Sequence, residues 1–460
     1  MKRRLQGWLA PIFLVLCLLL GGASAPGAGA IGNALLQLTA IGVLATLTAK
    51  GDLAGMPREA RPLLWLVALF ILWTALTLVP LPYGLWSALP GREPIADAMM
   101  RIGVADAAVP VSLAPQSTLS SLPWLLPPAA MFLLTLRADN RRRRRIFWAL
   151  LSFAMLSGAL GIIQQVSGPA SGLRPYRITN PDSPVGFFAN ANHLGTLLLC
   201  AIPAAGYFAA RALHRSRGER RNGLAVAGAL ILFLLVAIGV IGSAAAYGLA
   251  VVALVSVVLI YRRAQGPLNA LWLGSAGLLF AVMVALALAG PLQTQQLSEE
   301  VGSASNSRAS IARQTLEIIG DTFPAGSGLG SFPLLYRHYE DPTQVGAEFT
   351  NHAHNDYLEI VMELGLVGLG LILGFLAWWG VRSWQSWRSS SSGAGLGRAG
   401  AVMILLVLLH SIVDYPIRTS AMAAVFALAC ALLVPPPAPR RHSARASGGE
   451  GQALKHLEVV

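Results

Sequence analysis

The residues with the most chemical potential lie in one stretch, NHAHNDYLEIVMELG, residues 351–365. It holds two histidines, two asparagines and three carboxylates, and it runs straight into an apolar segment. Asn355 has the side chain of a helix N-cap. Asp356, Glu359 and Glu363 follow at helical spacing and share one face. At 1.5 Å per residue Glu363 sits about 10 Å below the helix start. Carboxylates at that depth in a membrane helix must face a protein interior or a wet cavity, so the segment reads as a functional site that includes Glu363, with plain bonding to neighbouring helices as the alternative. The same letters also spell H-x-H-x-D over His352, His354 and Asp356, a pattern that can bind zinc. A complete zinc site needs further ligands, and no second spaced motif points to His338 or His410.

Further polar residues stand near other helix ends. Asn190, Asn192 and His193 open a segment that reads as helix, where capping and substrate contact are equal alternatives. His410 and Asp414 lie one turn apart, suited either to a structural hydrogen bond or to orienting an acceptor or His354. SRASIARQTLEIIGDTFP, from Ser307, has the period of an amphipathic helix: Arg308, Ile311, Thr315, Ile318 and Ile319 share one face, and Arg313 points away. PAGSGLGSF, 324–332, carries three glycines at two-residue spacing, which allows either backbone approach to an anion or a plain turn.

These residues must be held by elements of a particular kind. The 460 residues are 55% apolar and only 12% charged, with a mean hydropathy of +0.60. A water-facing surface cannot be covered with so few charges, so the class is an all-α, polytopic membrane protein. Apolar runs long enough to span fall near 6–23, 31–49, 62–80, 119–136, 146–166, 192–210, 223–241, 245–261, 268–290, 357–381, 400–413 and 419–435, about twelve in all. With the N-terminus in the cytoplasm, the basic segments KGDLAGMPREAR, RADNRRRRR, RALHRSRGERR, YRR and RSWQSWR all fall on that side. The net charge of +13 is then a topology signal and calls for no nucleic acid. Residues 1–435 read as one transmembrane domain, 291–356 as a long periplasmic loop with a helix inside it, 81–118 as a surface-lying segment, and 436–460 as a disordered cytoplasmic tail. MKRRLQGWLAPIFLVLCLLLGGASA has the shape of a signal peptide, but Pro26 behind the cleavage point favours an uncleaved first helix. Cys17, Cys200 and Cys430 sit inside apolar runs and offer neither a disulfide framework nor a metal spacing.

Several stretches together resemble the O-antigen ligase family of membrane glycosyltransferases and the polymerases related to it. His354-Asn355 followed by Gly365 and Gly368 fits the family motif, and GFFANANHLGTLLL (186–199), SRASIARQTLEIIGDTFPAGSGLGSF (307–332) and HSIVDYP (410–416) occur in the expected order. The resemblance implies an inverting, metal-independent transfer of a glycan on the periplasmic face of the bacterial inner membrane, without a cofactor. The donor would be an undecaprenyl-pyrophosphate-linked glycan, and the acceptor lipid A-core, another glycan or a protein. The family's essential histidine falls on His354. A neutral imidazole can take a hydroxyl proton, and the adjacent helix N-terminus disfavours imidazolium. Arg308 matches a functional arginine of the family. A second family arginine has no counterpart: where Ser-Arg is usual the chain reads GSAAAYG, with Ser243 followed by Ala244 and Ala245. Either the alignment shifts, or activity is impaired, or another cation substitutes, with Arg174 and Arg177 nearest on the outer side.

A lipid-linked glycan transporter is the rival from another class. Against it, the two halves show no internal repeat, and the polar residues gather at one rim and one loop, not at the midplane.

Overall fold

The computed structural model describes residues 7–437 apart from 25–26, 28, 50, 52–54, 170, 181, 267–294, 341, 343–348 and 392, with backbone alone over 295–307. Apolar runs become helices because a backbone in hydrocarbon must satisfy its own polar groups. The chain opens with α1 Leu9–Leu20, α2 Ala30–Ala49 and α3 Arg61–Leu76. A short segment follows, in which β1 Pro80–Leu81, α4 Tyr83–Trp86, α5 Glu93–Arg101 and β2 Val109–Pro110 fold together, with β1 antiparallel to β2. Then come α6 Pro115–Ser121, α7 Leu126–Leu136, α8 Asn140–Ser167, α9 Ala191–Ala212, α10 Arg217–Ile241 and α11 Ala244–Gln265. The second half holds α12 Gln295–Thr322, α13 Phe332–Tyr339, α14 Asp356–Arg388, α15 Ala394–His410 and α16 Ser420–Leu432.

Among the described residues eight helical stretches are long and apolar enough to cross a membrane, and α1, α15 and α16 are shorter apolar helices. Helices therefore stand at eleven of the twelve expected places. The ninth expected span, 268–290, and the tail beyond 437 lie outside the described residues.

α9 is the axis of the bundle, packed against α8, α10, α11, α15 and α16 and buried along almost its whole length. Its small residues permit this. A Cβ on Gly206 would come within 2.9 Å of Val257, and one on Gly195 within 3.1 Å of Ala246. At one end of the bundle, arginines meet helix C-termini, where free carbonyls and the dipole favour a cation. Arg143 and Arg382 donate to Val434 and Leu433 at the end of α16, and Arg263 and Arg398 to Trp387 and Ser386 at the end of α14.

At the opposite end a small satellite core forms from Ile311, Ile318, Phe332, Tyr336, Ala353 and Met362. It joins α12, α13, the 349–355 strap and the start of α14. As the 100° period predicts, Ile311, Thr315 and Ile318 are buried and Arg313 is exposed. Two features reshape the region. α14 does not run straight: Gly365 breaks it with φ 60° and ψ −138°. The glycine turn before α13 fills the break, with Ser327 and Gly328 donating from their backbones to Met362 and Glu363 carbonyls, and Leu366 donating back to Pro324. Buried Arg92 ties the β1–β2 segment to this turn through the Val111 and Gly326 carbonyls, at 2.7 and 2.9 Å.

Candidate active site

Four helices begin at the satellite-core end, each capped by a side chain. Asn190 accepts from Asn192 N–H, Ser243 from Ala246, Asn355 from Tyr357 and Leu358, and Thr419 from Met422. The partial positive ends of α9, α11, α14 and α16 therefore all lie at this end. Between them sits Asp414, fully buried.

Asp414 is the point where the polar residues meet. Its Oδ2 accepts from Asn192 Nδ2 at 2.5 Å, and Ser243 Oγ donates to Asn192 Oδ1 at 2.8 Å. Oδ1 accepts from Tyr415 N and lies 3.7 Å from His354 Nδ1 and 3.9 Å from His193 Nε2. The Tyr415 ring fills the space among His352, His354 and His193, with centroids 4.4, 4.9 and 5.3 Å away. His410 is buried, its Nδ1 2.8 Å from Thr196 Oγ1. Burial opposes the charge on Asp414, yet His193, His354 and His410 around it hold its carboxyl below the ordinary range.

His354 itself has φ 50°, a left-handed conformation uncommon outside glycine and enriched at functional sites. Its side chain is one-quarter exposed, so the ring closes on Asp414 through Nδ1 and keeps an open side. Burial is the main reason its pKa lies below the usual 6.5. Asp414 and Glu359 work in the other direction, while Arg308 and His352 add to the lowering. Arg308 on α12 is partly buried, and its charge acts on His354.

The strap that carries His354 is held from behind. Glu359 Oε1 pairs with His352 Nδ1 at 2.8 Å, and Oε2 accepts from Ala353 N at 2.8 Å. Asp356 accepts from Ser411 Oγ at 2.7 Å. All three carboxylates converge on one guanidinium, that of Arg418: Asp356 at 3.4 Å, Glu359 at 3.3 Å and Glu363 at 3.2 Å.

The expected site residues divide into two groups. His354, Asn192 and His410 come together around the carboxylate of Asp414, and Arg308 acts by its charge on His354 and His410. Asn355, Glu363 and Arg174, expected to contact substrate, are engaged by the protein itself. Asn355 caps α14 through its oxygen and donates its amide to Ile412 O at 2.9 Å. Glu363 takes Gly330 N–H at 2.8 Å and Arg418, so the anion that the glycine turn approaches is this side chain. Arg174 holds the 168–183 loop by its own carbonyls and Ser171, and Arg177 is exposed in that loop. The H-x-H-x-D letters diverge: His352 goes to Glu359, His354 to Asp414 and Asp356 to Ser411 and Arg418. Among the described residues no group of three or more His, Cys, Asp or Glu is arranged to hold a metal ion.

Arg418, Tyr415 and the grip of Glu359 on the strap did not stand out in the sequence. One signal was present. Three buried carboxylates on one helix face require a cation, and Arg418 lies two residues beyond the HSIVDYP stretch.

Residues 227–373 match the sequence model of a family described as O-antigen ligase, a region that runs from α10 into α14 and contains both Arg308 and His354. No curated protein matches the chain.

Proposed function

We propose, from the match of residues 227–373 to the family described as O-antigen ligase, that this chain transfers a glycan from undecaprenyl pyrophosphate to an acceptor hydroxyl, with His354 as general base. The observation that carries this reading is the left-handed His354, with Nδ1 3.7 Å from buried Asp414. The chemistry follows from those positions. The open side of the imidazole takes the acceptor proton while the acceptor oxygen attacks the anomeric carbon. The carbon–oxygen bond to pyrophosphate breaks, and the leaving group departs with the electron pair as an anion. Attack opposite the leaving group inverts the anomeric centre. Asp414 steadies the imidazolium that forms, as a carboxylate behind an imidazole does in other base-catalysed transfers.

The growing negative charge meets fixed positive ends. Arg308 and the N-termini of α9, α11 and α14 lie at the end that carries His354, and such preorganised donors act most strongly where water is excluded. Ala244 is the first residue of α11, directly after the cap Ser243. Where the family often has an arginine, the helix end and Arg308 carry that work here, and exposed Arg177 is a further cation on the same side. The site lies at the end of the bundle opposite the arginine-rich end, which on the positive-inside rule is the periplasmic face of the inner membrane.

The test is reconstitution of the full chain with an undecaprenyl-pyrophosphate oligosaccharide, in the presence of a chelator. The acceptors are lipid A-core, a second donor molecule and a protein. Transfer by the wild type and a loss of at least about 10²-fold in His354→Ala are expected. The productive acceptor distinguishes a ligase from a polymerase. Transfer that survives in His354→Ala, or none to any acceptor, overturns the reading.

A further inference from the structure

Arg418 lies outside the matched region, yet it joins the two halves of the site. Its Nε reaches Asp356, two residues after His354. Its backbone lies four residues after Asp414, on the turn Pro416–Arg418. The contacts therefore close a short ring: His354, Asp356, the guanidinium, Asp414 and back across 3.7 Å to His354. Nη1 extends the grip to Glu359 and Glu363, and Glu359 in turn holds His352 and Ala353, the two residues before the base.

We propose that Arg418 is a positioning residue: its guanidinium pins the helix that follows His354 to the turn that follows Asp414, and so sets the imidazole–carboxylate geometry. The proposal rests on the reading of His354 as base.

An anion-binding role for Arg418 fits the charges poorly. Three carboxylates within 3.4 Å outnumber its single positive charge, so the cluster as a whole repels a pyrophosphate. The residue type matters as well. The guanidinium reaches Asp356 from Nε and both glutamates from Nη1, whereas the three donors of lysine share one nitrogen and cannot keep both positions.

The experiment compares wild type, Arg418→Lys and Asp356→Asn in the reconstituted full chain, with the acceptor that supports turnover in the wild type. Folding is checked by thermal melting in detergent. Both variants leave in place the groups that face His354: Asp414, Arg308 on α12, His352 on the strap, Glu359 on α14 and His193 on α9. Arg418→Lys also keeps the charge, so a change in its pH profile reports position, not lost charge.

Expected are a cooperative melt at a lowered temperature, a fall in kcat of about a hundredfold and a donor KM within about twofold of wild type. The acidic limb of the rate profile should move to lower pH, as Asp414→Asn would move it by ending the carboxylate's hold on the imidazole. A raised donor KM with kcat kept, a loss of kcat with the limb unmoved, or no change overturns the proposal. If Arg418→Lys does not fold, Asp356→Asn decides by kcat and donor KM, because its own lost carboxylate also moves the limb to lower pH. Failure of the base reading is recognised separately, by turnover that persists in His354→Ala.

Discussion

At the scale of single residues, the site depends on a histidine held where few side chains rest. A positive φ on a non-glycine residue costs of order 1–3 kcal/mol and persists only when the surroundings over-determine it. Here they do. Ala353 is anchored in the satellite core and hydrogen-bonded to Glu359, while Asn355 is fixed as a cap. The electrostatics make opposite predictions for two neighbours of His354. Burial and Arg308 lower its pKa, so the neutral base persists somewhat below pH 6.5. Removing the cation in Arg308→Gln should move the acidic limb of kcat/KM to higher pH. Removing the carboxylate in Asp414→Asn should move it to lower pH, with a reduced plateau because the imidazolium loses its counter-charge. Rate profiles from pH 5 to 8 on the reconstituted chain check both, and limbs that move together would refute the assignment of His354 as the titrating base.

At the scale of elements, the decisive feature is the break in α14. An uninterrupted helix would carry Glu359 and Glu363 down into the bilayer with the rest of the span. The break at Gly365 instead makes 356–364 a separate short helix, closed off by the glycine turn. Gly365 has a left-handed φ, and a Cβ there would clash with the Pro324 carbonyl; a Cβ on Gly326 would come within 2.6 Å of Gly365 N. Gly365→Ala is therefore expected to cost at least about 1–3 kcal/mol, read as a lowered melting temperature in detergent. Gly370→Ala, on the exposed face of the same helix with open space around it, should cause no loss. Equal melting of the two variants would mean that the break is not required for the fold.

At the scale of the whole molecule, charge is sorted by end. Arginines close the helix C-termini at one end, and capped N-termini with a cluster of imidazoles and carboxylates occupy the other. Arg141 is exposed near the start of α8, and Arg177 is exposed in the loop between α8 and α9. The native Cys17, Cys200 and Cys430 are buried. An impermeant maleimide applied to intact cells with a permeabilised outer membrane should label Arg177→Cys and not Arg141→Cys, and inverted vesicles should give the reverse. The same side for both would refute the opposed ends, and the reverse pattern would put the site in the cytoplasm.

The sequence by itself determined the helical membrane class, the place of each described span, the amphipathic face of α12 and the identity of His354, Asp414, Asn192 and Arg308 as residues worth watching. These are legible because hydropathy length, a 100° period and the cost of polar groups in hydrocarbon act locally along the chain. Only the tertiary structure decided the partners. Asn192 and Asp414 are 222 residues apart and Glu363 and Arg418 are 55 apart, so no local rule joins them. The role of the glycine turn was undecided in the sequence because its target, Glu363, lies 33 residues on from Gly330. Hydrogen bonds engage Asn355 as a cap, and burial ties Glu363 to Arg418, since a carboxylate removed from water must find a donor wherever the fold supplies one.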